Sequence, residues 1–459
     1  MTAQPGPLQE AWSALGARGA PELDLYGSGT IGPSPYALDE VAVAAVGATL
    51  LAGAELAEAR AGVRPEASLD RAHAALAFAS ERLLKADRAL GAGFAPLSRF
   101  AATSDGHIRL HANYPHHRAA LLRALGDPSE EHALETIGAC AAEELESSIV
   151  AAGGAAAAVR SAGDWLEHPQ GRAAAELGLL DFEIGETETP ALAASGALPC
   201  AGVRVLDLTR VIAGPVGTRM LAALGAEVLR VDPPTMPELE LHVLDGCVGK
   251  RSALLDARAS TDRETLERLL MDADVLVQGY RPGALARLGL DADALRERHP
   301  HLVTVTLSAW GETGPWGQRR GFDSLVQAAC GIARACGEED EPGALPVQAL
   351  DHASGYLIAA AALRGLTARA LSGRAGHARL ALTRTAAWVM RHAAPAAPTT
   401  ATATATARQI DPEDYRVTVS SPRGPLRCLA PPGSLDGRAL GWPCGVSAPG
   451  SDPPRWQSV

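Results

Sequence analysis

The first 195 residues carry alanine and leucine at the three- and four-residue spacing that is typical of helices. The pattern predicts helices over Leu38 to Ala61, Ser68 to Leu90, His117 to Leu125, Ser129 to Ala152 and Ala155 to Leu166. A Ser-Asp-Gly turn between two alternating runs predicts one β-hairpin, from Phe100 to Asn113. We therefore expect residues 1–195 to form a mainly helical α+β half.

From residue 196 to residue 390, short apolar runs alternate with helical patterns, and the connections between them are short. The runs predict strands at Val203 to Thr209, Glu227 to Asp232, Ala253 to Asp256, Asp274 to Gln278 and His301 to Leu307. The helical patterns lie at Ala213 to Leu224, Asp262 to Met271, Gly283 to Leu288 and Ala292 to Arg298. Strands that alternate with helices form parallel sheets, so an α/β domain is expected here.

The end of the chain changes character again. Residues 391–408 are a low-complexity stretch of Ala, Pro and Thr, which predicts a linker. Residues 409–459 begin with the alternation of a hairpin, Tyr415 to Arg427, and continue as a proline-rich tail. We expect this tail to be partly disordered, with little order after Cys444.

Size and hydropathy indicate a folded protein of more than one domain. At 459 residues, with 47% hydrophobic and 20% charged residues, the chain exceeds the size of one core. The longest apolar run, Val41 to Ala54, is too short and too rich in Ala and Gly to span a bilayer. Because the first residues lack a basic, then apolar, leader, we expect no membrane association and a cytoplasmic location.

Charge and cysteine content narrow the possible chemistry. The formal charge of -12 disfavours non-specific nucleic-acid binding, which needs a concentrated basic face. The seven cysteines are scattered, and no two form a CxxC pair, so the sequence indicates no metal site and no disulfide framework. An anionic ligand would have to be bound by local arginines.

Asp351 is the candidate catalytic residue. A short extended run ends at this acid, and an Ala/Leu-rich helical segment follows it directly, which predicts a carboxylate at a helix N-terminus. Free N–H groups and the helix dipole favour the ionised form there. Such a carboxylate can cap the helix or act as a nucleophile, and the local sequence leaves both roles open.

Two further features concern the surroundings of Asp351. The turn from Thr209 to Pro215 joins a predicted strand to a helix N-terminus, where open α/β sheets bind anions, although it is not a GxGxxG loop. The segment from Ala37 to Gly62 can also be laid on the segment from Ala349 to Gly376, with a shared Ala-Leu-Asp start. An internal repeat and a chance match between alanine-rich helices both explain this likeness.

Five blocks in order, Gly202–Pro215, Leu224–Asp232, Gly249–Ser252, Tyr280–Gly289 and Gly321–Gly331, resemble the class III CoA-transferases. This family includes formyl-CoA and carnitine CoA-transferases and the 2-methylacyl-CoA racemases. The resemblance implies a Rossmann-like sheet domain for residues 196–390. Segments Ser104–Asn113 and Ser161–Gln170 are similar to the family's small domain, which normally follows the catalytic Asp, so the chain resembles a permuted or duplicated member.

By this resemblance Asp351 is the nucleophile that attacks an acyl-CoA thioester, giving a mixed anhydride and then an aspartyl-CoA thioester. Asp39, in the matching position of the repeat, is expected to be a structural cap. The residues implied in binding CoA and the acyl group are Arg210, Val211, Ile212, Ala213, Leu255, Gly279, Tyr280, Arg287, Arg320 and Phe322. For each arginine, a solvated surface charge is the alternative interpretation.

Three positions depart from the family pattern. Ile212 replaces a polar Gln of formyl-CoA transferase, which argues against that substrate, and Pro233 replaces a basic residue, so Arg230 or Lys250 would have to contact phosphate instead. The family's glycine-rich loop over the active site is reduced to Gly91-Ala-Gly93.

The resemblance implies a CoA-transferase that moves CoA between an acyl-CoA and a carboxylic acid, with no permanent cofactor. A racemase needs a His before Asp323, and the chain has Phe322 there, so racemisation is disfavoured. A non-catalytic CoA-binding scaffold is the other alternative. We expect a homodimer, unless the two halves of one chain complete the site.

Overall fold

The computed structural model describes residues 5–91, 93–126, 129–193, 196–338, 340–394 and 410–457. In the first half the elements are α1 (Pro7–Ala14), β1 (Asp24–Tyr26), α2 (Leu38–Ala61), β2 (Ala67–Asp70), α3 (Arg71–Ala77), β3 (Lys85–Ala86), β4 (Phe100–Ala102), β5 (His107–Leu110), α4 (Pro115–Ala124), α5 (Ala133–Gly138), α6 (Ala142–Ala151), β6 (Ala156–Ala158), α7 (Ala162–Glu167), α8 (Pro169–Ala175) and β7 (Leu180–Ile184).

Three helices predicted for this half, Ser68 to Leu90, Ser129 to Ala152 and Ala155 to Leu166, are wrong, and the second of these ranges is divided into α5 and α6. The range from Ser68 to Leu90 contains β2, α3, a 3-10 turn and β3 instead of one helix, and Asp70 caps α3 by accepting the N–H of Ala72 at 2.9 Å. The alanines of β6 pair with β5, so the three-stranded sheet β4-β5-β6 extends the predicted hairpin. Alanine runs favour helices in isolation, but here an adjacent strand supplies the hydrogen bonds.

The second half contains β8 (Arg204–Leu208), α9 (Ala213–Ala223), β9 (Glu227–Asp232), α10 (Glu240–Gly246), β10 (Arg251–Leu254), α11 (Ser260–Asp272), β11 (Val275–Gln278), α12 (Ala292–Arg298), β12 (Val303–Ser308), α13 (Asp323–Ala329), α14 (Ile332–Ala335), α15 (Ala349–Ser372), β13 (Gly376–Ala381) and α16 (Leu382–Arg391). The predicted parallel sheet is confirmed, with strand order β10-β9-β8-β11-β12-β13-β7. Only β7, at the edge, pairs antiparallel to its neighbour.

The two faces of this sheet are both covered. Along the strands, side chains such as Val205, Val277 and Val303 join the core that contains α2, α9 and α15. The alternate side chains, such as Leu206 and Leu276, pack with α11 and α12 on the opposite face. This alternation follows from the two-residue period of a strand, and burial of each such side chain stabilises the fold by about 1.5 to 3 kcal/mol.

Helices α2 and α15 form the centre of the molecule. Each has 24 residues, begins after a residue of similar backbone conformation (Ala37, φ −74° and ψ 62°; Gln348, φ −76° and ψ 64°), and ends at a left-handed glycine, Gly62 or Gly373. The helix starts therefore pair residue 37 with residue 348, one position away from the sequence alignment, and the helix ends pair residue 62 with residue 373, three positions away from it. The geometry is consistent with the internal repeat, whose origin stays a prediction.

Helix α2 is also apolar and long enough to cross a membrane, with a mean hydropathy of 1.6 over its best 18 residues. However, 83% of that window is buried inside the protein. The hydroxyl of Thr49 donates to the carbonyl of Tyr356 on α15 at 2.7 Å. These contacts are typical of a core helix.

The expectation of little order after Cys444 is wrong. The strands β14 (Arg416–Ser421) and β15 (Gly424–Leu429) form the predicted hairpin, which is followed by β16 (Ser434–Leu435) and β17 (Arg438–Ala439). Beyond them, Asp452 and Ser252 exchange hydrogen bonds of 2.8 and 2.9 Å, and Trp456 donates to the carbonyl of Leu269. The edge strand β10 thus fixes the tail. Most of the predicted linker, from residue 395 onward, lies outside the described residues.

Candidate active site

The turn between β8 and α9 is fixed by a buried ion pair. Asp207 and Lys250 are fully buried, with 2.9 Å between Oδ2 and Nζ. Asp207 also accepts the N–H of Thr209 at 2.9 Å, and Lys250 donates to the carbonyl of Pro215 at 2.9 Å. These bonds join the strand end, the turn and the helix start into one unit.

Val211, at the tip of this turn, has a left-handed backbone with φ of 68°. A β-branched residue rarely adopts this conformation, which is found where the surroundings enforce it and often at functional sites. Here Glu238 holds the backbone in place, because its Oε2 accepts the N–H of Val211 at 3.0 Å. Its Oε1 accepts the hydroxyl of Tyr114, from the first half, at 2.5 Å.

Glu238 is almost fully buried and ionised. Burial opposes the charge, but His242, Arg210 and Arg230 hold the pKa of Glu238 below its ordinary value. The Oε2 atom lies 3.3 Å from Nε of Arg210. Glu238 therefore connects both halves of the chain to the turn.

The first turn of α15 carries Asp351, and a different acid caps it. Helix α15 begins at Ala349, two residues before Asp351, so the predicted extended run up to this acid is wrong. Oδ2 of Asp323 accepts the N–H groups of Leu350 and Asp351 at 2.9 and 3.0 Å. In the described part of the chain, the carboxyl of Asp351 has no hydrogen-bond partner, because Asp323 occupies the capping position.

Asp351 sits in an environment that resists ionisation. Burial, then the negative charges of Asp323 and Glu81, raise the pKa of Asp351 well above its ordinary value. Burial also raises the pKa of Asp323 to about 6. Glu81 comes from the first half and pairs with His352, with 2.9 Å between Oε2 and Nε2. Once ionised, a buried carboxylate without hydrogen bonds is a reactive nucleophile.

Two cavities meet at Asp351, and both are also lined by Val211 and Phe322. The first, of about 350 Å³, is here named the arginine cavity after Arg210, Arg281, Arg319 and Arg320. The second, of about 370 Å³, is named the leucine cavity after Leu84, Leu90 and Leu241. Residues of both halves of the chain line each cavity.

Two arginines of the arginine cavity have no carboxylate partner among the described residues. Arg281 donates to the carbonyl of Gln318 and Arg320 to that of Gly153, at 3.2 and 3.1 Å. Burial and the neighbouring charge of Arg281 lower the pKa of Arg320. In contrast, Arg319 pairs with Glu146 at 2.7 Å. Positive charges that face one another without a counterion attract an anion.

Most of the site residues predicted from the sequence line one or both cavities, and two of them do not. The arginine cavity is lined by Arg210, Val211, Ala213, Gly279, Tyr280, Arg320, Phe322 and Asp351, and the leucine cavity by Val211, Ile212, Phe322 and Asp351. Leu255 lines neither cavity and is buried on the opposite face of the sheet. Arg287 also lines neither and lies exposed in the 3-10 turn Ala286–Leu288.

Three assignments from the sequence need correction. Arg230 and Lys250, considered as phosphate contacts, are buried and paired with Asp232 and Asp207, so neither offers a free charge. Asp39 caps no helix. It accepts the N–H of Ile31, in the preceding loop, at 2.7 Å.

Sequence reasoning missed the contribution of the first half. Glu81, His111, Tyr114 and His117 all lie in or against the cavities, and the rings of His111 and Phe322 stack 3.5 Å apart at 3°. Only the Tyr114-Pro-His-His117 cluster gave a local signal, as an unusual concentration of rings. The other residues become neighbours of Asp351 only through the tertiary fold.

The sequence model of CoA-transferase family III matches residues 200–428, which include the turn, Asp323 and Asp351. Residues 200–428 are therefore similar in sequence to CoA-transferase family III. The probable fatty acyl-CoA transferase Rv3272 of Mycobacterium tuberculosis is 36% identical over 200 residues, which are 40% of this chain and 51% of that protein.

The succinyl-CoA:glutarate CoA-transferase of Homo sapiens is 31% identical over 189 residues, covering 38% of this chain and 43% of that protein. A crystal structure of Rv3272 is 35% identical, covers 42% of this chain and 57% of that chain, and gives a TM-score of 0.41. The chain thus spans about half the length, or less, of the curated relatives it matches.

Proposed function

We propose that this protein transfers coenzyme A between an acyl-CoA thioester and a carboxylic acid, with Asp351 as the covalent nucleophile. The observation that carries the proposal is the position of the Asp351 carboxyl. It is 7% exposed, free of hydrogen bonds within the described residues, and lies where the two cavities meet. The match of residues 200–428 to CoA-transferase family III supports the same chemistry.

The proposed reaction balances without metal or redox cofactor. The ionised Asp351 attacks the thioester carbonyl, the C–S bond breaks, and a mixed anhydride and CoA thiolate form. The thiolate attacks Cγ of Asp351, which releases the donor acid as a carboxylate and leaves an aspartyl-CoA thioester. The acceptor carboxylate then attacks this thioester and again releases thiolate, which takes the acceptor acyl group and frees Asp351.

The arginine cavity is the proposed site for CoA. The molecule carries phosphates and passes through a thiolate in each half of the reaction, so it needs positive charge on its side of Asp351. Arg281 and Arg320, whose charges no carboxylate of the described chain neutralises, meet that need. Arg210 lies 5.4 Å from the ring centre of Tyr114 and forms one wall.

An isotope-exchange assay tests the proposal. The protein is incubated with short and branched acyl-CoA donors and labelled carboxylic acids, and label in the acyl-CoA pool is measured. We expect exchange in the wild type and a loss of several orders of magnitude in Asp351→Asn, with CoA binding retained. Asp39→Asn, in the first turn of α2, is the matched control and should exchange normally.

Other outcomes of this assay contradict the proposal in different ways. CoA binding without exchange across the panel would identify a scaffold. Near-normal exchange in Asp351→Asn would remove Asp351 from the mechanism. A homodimer and a cytoplasmic location stay predictions, although a pocket lined by both halves supports a site that one chain completes.

A further inference from the structure

The leucine cavity is almost without available positive charge. Among the described residues that line it, Arg82 is the only arginine or lysine. Its guanidinium lies 3.4 Å from Glu81, donates to the carbonyl of Pro346, and is half-exposed at the rim. The charge of Arg82 is therefore already paired with that of Glu81.

Arg109 is the other cation near this cavity, and it is not among the described residues that line it. Its guanidinium stacks between Phe94 and Phe100, 4.9 and 5.0 Å from the ring centres, so Phe94 separates it from the cavity. Asp323 is the carboxylate whose charge acts on Arg109. Burial lowers the pKa of Arg109 to about 10, and the charge of Asp323 opposes that change.

Of the two histidines that line the cavity, His111 is neutral, and Nδ1 of His242 lies 3.7 Å from Oε1 of Glu238. Burial, together with the charges of His117 and Arg109, lowers the pKa of His111 well below its ordinary value. The Nδ1 atoms of His111 and His242 are buried without a hydrogen-bond partner in the described chain. A neutral ring such as that of His111 can bond to an uncharged polar group but does not balance a negative charge, and His242 already faces the carboxylate of Glu238.

Acidic side chains are concentrated at the Asp351 end of the cavity. Glu81, Asp323 and Asp351 all line it. A ligand carboxylate at the far end of an acyl chain would be buried near three acids, with no unpaired arginine or lysine among the described residues that line the cavity. The remaining wall is apolar, formed by Leu84, Leu90, Phe94, Ile212 and Leu241.

We propose that the leucine cavity binds the acyl chain of an uncharged, aliphatic monocarboxylic acid and excludes dicarboxylic acids. This inference names the substrate class of the proposed transferase and so rests on that function. A cavity of about 370 Å³ is more than twice the ~150 Å³ that holds one benzene, so chains of about six carbons fit.

The test compares donors of equal length that differ only in a terminal carboxylate, hexanoyl-CoA against adipoyl-CoA and butyryl-CoA against succinyl-CoA. Dissociation constants come from calorimetry and kcat/KM from exchange. We expect the monocarboxylic thioester of each pair to bind at least about tenfold more tightly and to react at least about tenfold faster. Equal or tighter binding of adipoyl-CoA would overturn the proposal.

A charged variant of the cavity wall should weaken the preference for hexanoyl-CoA over adipoyl-CoA. Leu241→Arg places a cation on the cavity wall and should narrow the hexanoyl-to-adipoyl ratio at least about tenfold, with the affinity for free CoA unchanged. Leu241→Met is the control and should keep the wild-type ratio; if Leu241→Arg does not fold, Leu90→Arg takes its place. An unchanged ratio in a folded arginine variant would contradict the proposal.

Binding and exchange separate this inference from the proposed function. If no donor supports exchange but hexanoyl-CoA still binds more tightly than adipoyl-CoA, transfer fails and the cavity assignment stands. If exchange occurs and favours adipoyl-CoA, transfer stands and the cavity assignment fails.

Discussion

Asp323 accepts the backbone N–H of Asp351 at 3.0 Å, and so takes the capping role that the sequence left open for Asp351 itself. The same carboxylate accepts the N–H of Leu350 at 2.9 Å and a bond from the amide of Gln327. Asp351 keeps its own carboxyl free. The two acids therefore divide between them the roles of cap and proposed nucleophile.

The first prediction concerns the pH dependence of exchange. Burial, and after it the negative charge of Asp323, raises the pKa of Asp351, so exchange should increase with pH as Asp351 ionises. Asp323→Asn removes that charge and keeps an oxygen for the helix N–H groups. We expect the acidic limb of the kcat/KM profile to move by about one pH unit or more to lower pH.

Asp39→Asn is the control for this experiment, because Asp39 is not in the cavities. Its profile should match the wild type. An Asp323→Asn profile with the wild-type midpoint would mean that Asp323 does not set the ionisation of the reacting group.

The second prediction concerns stability. The folded pKa of Asp351 is raised above the unfolded value of 3.8, so the folded state binds this proton more tightly. The contribution of the neutral carboxyl to stability is complete below that value and is lost as pH rises through the folded pKa. Asp351→Asn carries no such group.

The free energy of unfolding of Asp351→Asn should therefore rise relative to that of the wild type as pH rises from about 4 to about 8. Urea titrations at several pH values measure the difference. If the variant instead becomes less stable relative to the wild type as pH rises, the Asp351 carboxylate stabilises the fold and the assigned pKa direction is wrong.

The third prediction concerns Glu238 as a positioning residue. Its two oxygens hold the left-handed Val211 and the hydroxyl of Tyr114, whereas the amide of Glu238→Gln has one oxygen and no charge. Losing these bonds should destabilise the protein by about 1 to 3 kcal/mol. Exchange should fall at least about tenfold, mainly in kcat, because the turn beside Asp351 relaxes.

Glu240→Gln is the matched control, since Glu240 lies two residues away and pairs at the surface with Arg423. It should leave both stability and exchange near wild-type values. A Glu238→Gln protein that loses stability but keeps wild-type kcat would assign Glu238 a purely structural role.

The parts of the fold that the sequence predicts well are those fixed by local patterns. Strand β9 and helix α2 have their predicted ends, because buried runs and helical spacing are signals within a few residues. The turn at Val211 was located from its strand and helix neighbours, but its left-handed backbone was not. That conformation depends on Glu238, which is 27 residues further along the chain.

The surroundings of Asp351 could not be read in the same way. Glu81 reaches His352 across 271 residues, and His111 meets Phe322 only after the two halves pack. The tail after Cys444 was expected to be coil because proline-rich sequence carries no periodicity. Its order comes from pairing with the edge strand at Ser252, which no local pattern records.

The most direct test of the account is to trap the acyl or CoA adduct on Asp351. The protein is mixed with an acyl-CoA, quenched with hydroxylamine, digested, and mapped by mass spectrometry. We expect a hydroxamate at Asp351 that depends on acyl-CoA and is absent in Asp351→Asn, with Asp39 and Asp323 unmodified. Exchange in the wild type with no adduct at Asp351, or with the adduct on Asp323, would contradict the account.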